Sequence, residues 1–487
     1  MKMKRRALDS MPPALHVVAP PAVQAPLPIL IWREIRRLVV LAFPITVALV
    51  ATLLIGVVDT IMVAPLGTVP LAAISITMSF VIILYSGLYG FVSVIGVRIA
   101  EAHGNGSPDA LSRALRSGLA IACVTGTCAV LLMLAIRPVL PFLGQPKEVI
   151  DVLGGYWIAM SVIMIPFILF LTLKGLFDAM SQPWIGVGLA FLAVGLNVPA
   201  NLVLIHGIGS WEGLGLTGAG LASLLSEVAT LLIALIIWRR ARFTAPARRV
   251  IHDLGAEMRL QVREGATIAA GYMGEGGAYT VAILMIGWFG ATALAATQIV
   301  TSVGNVIYMV PLGLSIAVSI RIGQAIGAGE IYRLQRIGIA ALVTIISWMG
   351  AVMIGVFLLG GPISRGLSDD PEVVMLAMAM FFVIACMQIG DGIQGAMLGA
   401  SRGMTDNRVP VLITNFAYWC LALPIGYLIA FKLDAGPNGI WMGYAFGLAL
   451  AGALLTWRFF LTSGRRQALA AQVLAAQARA TSTEPTE

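Results

Sequence analysis

Charge is what this chain is short of. Asp, Glu, Lys and Arg make up 11% of its 487 residues, while 59% are hydrophobic; a soluble domain carries roughly 25% charged residues. That scarcity excludes a soluble globular protein and points to a polytopic helical membrane protein. Histidine is equally sparse: His103, His206 and His252 fall in separate loops or near separate helix ends, and the four histidines do not cluster. A histidine metal centre is therefore unsupported. Cysteine is limited to Cys123, Cys128, Cys386 and Cys420, all inside apolar runs and never as CxxC. Packing residues are expected there, not a disulfide framework or a metal site. No Walker motif, nucleophile elbow or HExxH occurs, so an ATP-driven pump or an intramembrane hydrolase has no machinery. No short signal peptide with a small-residue cleavage site is read at the start.

What is present is apolar length. Twelve runs are long enough to cross a bilayer, from 38–62 and 70–96 through 264–287 to 438–461. The net charge of +8 belongs to the segments between them, so topology explains it and nucleic acid is not an expected partner. Basic residues crowd the N-terminal tail and the loops after even runs; residues 239–263 alone hold seven arginines. The odd-to-even loops hold only Arg137, Lys147, Arg365 and Lys432. By the positive-inside rule both termini and the middle loop face the cytoplasm. The expected division is a disordered tail (1–32), a six-helix N-lobe (33–238), a linker (239–263), a six-helix C-lobe (264–462) and a C-terminal tail (463–487).

The two halves repeat. MVAPLGTVPLAAISI at 62–76 resembles IGWFGATALAATQIV at 286–300, Gly67 falling on Gly290 and Leu71 on Leu294 with an offset of 223 residues, and VRIAEAHGNG (97–106) meets IRIGQAIGAG (320–329) at the same offset. Arg98 thus pairs with Arg321 and Gly104 with Gly327; Asn197 with Asn415 and Gly218 with Gly439 follow at slightly shorter offsets. Halves with an even number of spans share one orientation, related by an axis along the membrane normal, with a cavity between them. Secondary transporters are built this way; a duplicated scaffold without transport is the alternative from another class.

Acids inside the spans are the candidate site residues, because an ionisable group costs roughly 2.5–3.5 kcal/mol to insert. Asp59 lies late in the first run, and could instead be a helix-end residue reaching the interface. Glu275 lies near mid-span between Gly274 and Gly276–Gly277, where small residues permit close helix approach or local unwinding. Asp391 shares a helix face with Gln388 and Gln394, or caps the following loop. Glu227, mid-way through the sixth run, has no recognisable company. Asn197 and Asn201, in NVPAN, share a face. Pro199 frees a carbonyl between them. Amide oxygens, that carbonyl and the Asp59 carboxylate could hold a proton or sodium; alternatively the asparagines join helices.

With FPITVALVATLLIGVVDTIMVAPLG (Pro44, Asp59), the two repeat segments, NVPAN, Glu275 and Asp391 in view, residues 33–462 resemble the MATE (multidrug and toxic compound extrusion) family, in its NorM-like branch. The resemblance implies an all-α membrane protein of twelve transmembrane helices in two six-helix lobes, V-shaped around a central cavity. It implies export of amphipathic, often cationic drugs by antiport with sodium or protons, no cofactor beyond that coupling ion, and a monomer in the bacterial inner membrane. Asp59, Asn197 and Asn201 match the family's N-lobe cation and substrate site; Glu275 and Asp391, with Gln388 beside them, match the C-lobe site. Met387 stands where the family often has Tyr, and Asn201 where some members have Asp. A flippase for lipid-linked or polysaccharide precursors shares the fold, but tends to line its cavity with cations.

Overall fold

The computed structural model describes residues 17–21, 25–143, 146–251 and 253–482; most of the 1–32 tail and His252 lie outside them. Twelve long helices account for nearly all of it. They are α1 (Leu27–Val63), α2 (Thr68–Gly104), α3 (Pro108–Ile136), α4 (Lys147–Ala179, interrupted at Ile163), α5 (Pro183–His206), α6 (Leu216–Arg240), α7 (Gly255–Gly287), α8 (Ala291–Gly327), α9 (Leu334–Leu367), α10 (Pro371–Gly403), α11 (Arg408–Lys432) and α12 (Pro437–Ser482). Eleven are long and apolar enough to cross a membrane by composition alone. The one that falls short, α7, holds Glu257, Arg259, Arg263, Glu264 and Glu275.

Local signals place the helix ends. Pro28 sits in the first turn of α1, where its missing N–H costs nothing. Residues 27–32 are therefore helical, not part of a disordered tail. Further upstream, Val18 donates its N–H to the carbonyl of Gly329 at 3.1 Å. Ser107 caps α3 by accepting from the Ala110 N–H, and Asp370 caps α10 by accepting from Glu372. The turns repeat between halves as the sequence does. Gly67 before α2 has φ 106° and Gly290 before α8 has φ 100°, a conformation in which a Cβ is strained. Helix α11 widens into π-helical turns over Ala417–Ala422 and Leu428–Lys432, a loosening that recurs at functional sites.

Packing divides the molecule by depth. Toward the end where the first helix begins and the last one finishes, a single apolar core is shared by both lobes: Ile45, Ile99 and Phe177 pack with Ile320, Ile337 and Met397. At the other end the core splits in two. One part, around Leu153, Trp157 and Ile168, belongs to the N-lobe; the other, around Met380, Tyr418 and Trp441, belongs to the C-lobe. Joined at one end and parted at the other, the lobes form the expected V.

The joined end is stitched twice over. A Cβ on Gly104 would collide with the Gln324 carbonyl, and one on Gly327 with the Glu101 carbonyl; each contact is the other shifted by 223 residues. Gly90 against Ala269 and Gly313 against Thr46 form a second such pair. Ion pairs follow the same rule. Arg98 of α2 grips Glu257 of α7 with Nε and Nη2, both at 2.8 Å. Its mate Arg321 of α8 reaches Glu34 of α1 at 3.2 Å, and Arg333 joins Glu34 at 2.6 Å.

One expectation changes here. The four cysteines lie exposed on helix surfaces; an apolar thiol at membrane depth needs no protein cover when lipid is its neighbour. Lys174 lies inside α4, 8% exposed, and is bonded to Asp178 at 2.7 Å.

Candidate functional site

Two cavities open between the lobes, one on each side of the partition formed by Tyr89 of α2 and Leu312 of α8. The N-lobe cavity, about 360 Å3, is lined by α1, α2, α4 and α6 and contains Asp59. Asp59 is 2% exposed, so it is not an interfacial residue. Its carboxylate receives Asn197 Nδ2 (3.1 Å) and Asn201 Nδ2 (2.6 Å) on Oδ1, and Ser223 Oγ (2.7 Å) on Oδ2. Asn201 Nδ2 also donates to Asn197 Oδ1 at 3.0 Å.

The three N-lobe residues expected from sequence thus converge, with one difference of chemistry. The amides present nitrogen to the carboxylate, so they act as donors to an anion; serving as ligands to sodium would require them to turn over. The carbonyl freed by Pro199 is that of Gly195, and both residues lie on the exposed face of α5, opposite Asn197 and Asn201. It supplies no acceptor to this site, because residues four apart share a face and those two apart do not. Ser223 was missed. Its only signal in the sequence is a position one turn before Glu227.

The C-lobe cavity, about 320 Å3, is lined by α7, α8, α10 and α12 and contains Glu275, Gln388 and Asp391. Here the acids are open. Neither has an ion pair among the described residues, and both face the cavity space. Gln394 is buried at 1% exposure and does not reach the lining, so only one of the two glutamines flanking Asp391 joins the site. The glycines beside Glu275 serve close approach, not unwinding. Helix α7 is continuous there, Gly274 abuts the Asn415 side chain, and Gly277 abuts Trp419. Met387 lines this cavity together with Tyr272, Tyr279, Tyr308 and Tyr444. Other helices therefore supply the aromatic surface that Met387 does not.

Between the two lies a chamber of about 80 Å3 bordered by Lys174, Asp178, Tyr272 and Arg402. Arg402 donates to the Tyr272 hydroxyl at 2.8 Å and stacks 4.7 Å from that ring's centre.

The MatE family model matches this chain twice, over residues 44–203 and 268–428, once in each lobe. The chain belongs to the MatE family. Among curated MatE relatives, the probable multidrug resistance protein NorM of Bradyrhizobium diazoefficiens is 31% identical over 404 residues, covering 81% of this chain and 86% of that protein. The multidrug resistance protein NorM of Burkholderia vietnamiensis is 30% identical over 411 residues, covering 80% and 86%. Among solved MatE folds, the MATE transporter VcmN of Vibrio cholerae in its bent form superposes with a TM-score of 0.83 at 17% identity, covering 91% of this chain and 99% of that one.

Proposed function

We propose that this MatE protein exports amphipathic, mostly cationic compounds across a bacterial inner membrane by antiport with sodium or protons, the lobes rocking between two access states. The arginine-rich linker and the loops after even runs favour a cytoplasmic joined end with both termini, and the cavities then open outward. The protein works as a monomer, and its partners are the cargo, the coupling cation and the bilayer. The observation that carries this reading is the pair Glu275 and Asp391: carboxylates at membrane depth, walled by tyrosines and held in no ion pair among the described residues, with the charge of Arg402 felt at Glu275 only from a distance. Such groups are expensive to insert and suit an exchange in which cation and cargo compete for the same negative charge. Inward cation flow supplies roughly 2.3 kcal/mol per charge per 100 mV.

A flippase for anionic lipid precursors would need cations in the large cavities. Lys174 and Arg402 border the small central chamber, and Arg402 a further small pocket beside Arg98, but neither lines the two large cavities. A scaffold without transport gains nothing from acids facing a cavity.

The test is ethidium export from a drug-sensitive strain. Asp59→Asn, Glu275→Gln and Asp391→Asn are expressed at equal levels, and counterflow is then followed in proteoliposomes under imposed sodium or proton gradients. Loss of export in the C-lobe variants is expected. Normal export in all three variants overturns the carboxylate account.

A further inference from the structure

Glu227 was the acid without company in the sequence; the structure gives it some. It lies one turn beyond Ser223 on α6 and lines the same N-lobe cavity as Asp59. Its Oε1 is buried and has no hydrogen-bond partner among the described residues. Asp59 is its opposite: three side-chain donors from two helices occupy its two oxygens. A ligand cation reaching Asp59 must displace or turn donors already in place, whereas one reaching Glu227 displaces none.

The wall beside Glu227 is suited to an organic cation. Tyr85 stacks on Phe167 with ring centres 3.9 Å apart and planes 11° from parallel, and Tyr89 meets the same Phe167 edge-on at 5.9 Å. Aromatic faces attract delocalised or alkylated cations, while a small hard cation such as sodium prefers a shell of oxygens. Met160 and Met309 complete the lining with side chains that adapt to ligands of varied shape. At about 360 Å3 the cavity falls within the range that takes a drug-sized molecule.

We propose that Glu227, not Asp59, is the group in the N-lobe that receives the charged centre of a lipophilic organic cation, with the Tyr85–Phe167 stack as its apolar wall. Asp59 with its asparagines and serine then organises α1, α5 and α6 around that cavity. The proposal rests on the exporter reading above, so its test measures binding and not transport.

Purified protein in nanodiscs is titrated with tetraphenylphosphonium in a Glu275→Gln, Asp391→Asn background, which leaves the N-lobe cavity as the one of the two large cavities that still carries acids. Glu227→Gln should weaken binding about tenfold or more, Glu227→Asp should restore part of the loss, and Tyr85→Leu should weaken it about threefold. Unchanged melting temperature in Glu227→Gln separates a lost contact from a lost fold. The proposal is overturned if Glu227→Gln binds as its background does, or if Asp59→Asn abolishes binding while Glu227→Gln does not. If the otherwise wild-type protein binds no tetraphenylphosphonium at all, the exporter reading falls with it; if only the background fails to bind, this proposal alone falls.

Discussion

The two lobes carry acids in contrasting states. In the N-lobe the carboxylate of Asp59 is enclosed by Asn197, Asn201 and Ser223; in the C-lobe Glu275 and Asp391 look into open space. Duplication does not explain either arrangement. The position 223 residues after Asp59 is Ala282, and the one 223 before Glu275 is Thr52. Asn415, the counterpart of Asn197, donates to the Val411 carbonyl of its own helix and bonds to no acid among the described residues. The repeat was kept elsewhere, in Gly67 and Gly290, Gly104 and Gly327, Arg98 and Arg321, Glu34 and Glu257. Those positions shape the turns and join the lobes. Each half therefore repeats the positions that shape turns and join the lobes and differs in the acids that line its cavity.

Several substitutions bear on that contrast. The largest effect is expected from Glu275→Gln combined with Asp391→Asn, because nothing else in that cavity carries negative charge. Ethidium export should fall at least about tenfold, with the melting temperature held or raised, since unpaired charge at membrane depth is itself a cost. A melting temperature that falls sharply would mean these acids hold the fold, the role proposed above for Asp59. Next come Gly104→Val and Gly327→Val, which press a side chain into a backbone carbonyl. Each should cost about 1–3 kcal/mol by thermal unfolding in detergent, and the two should match; a twofold disparity would break the symmetry of the seam.

Smaller and deliberately unequal effects are expected from the ion pairs. Glu34→Gln leaves Arg321 without a carboxylate and takes one of two from Arg333, which keeps Glu330, while Glu257→Gln takes one of two from Arg98, which keeps Glu101. Glu34→Gln should therefore destabilise more, with about 1–3 kcal/mol for a charged hydrogen bond removed from a buried partner. The smallest effect belongs to Ser223→Ala. It withdraws one of three donors from Asp59 and should lower stability by about 1 kcal/mol while leaving export above half of wild type.

Much of this was visible in the residues before any coordinates. Twelve apolar runs became twelve helices because bilayer thickness sets their length. The constant offset became a two-fold because two chains of like pattern fold alike. Asp59, Asn197 and Asn201 converged, as did Glu275, Gln388 and Asp391. What stayed hidden depends on which helix lies beside which. Periodicity puts Ser223 and Glu227 on one face of α6 but does not say that α1 is across from it. It likewise puts Lys174 at the edge of a run without revealing Asp178 as its burial partner four residues on. The direction of an asparagine amide, nitrogen or oxygen first, is set by the group it meets. The carbonyl released by Pro199 was assigned to the wrong face because the releasing residue and the released one sit four apart, on the side away from the asparagines.

The reciprocal glycine contacts between α2 and α8 have one more effect. Gly104 rests on Gln324 and Gly327 rests on Glu101, so both footholds lie on the same two rods and neither can be vacated alone. The two helices are thus clasped at one seam, and prising one foothold loose strains the other.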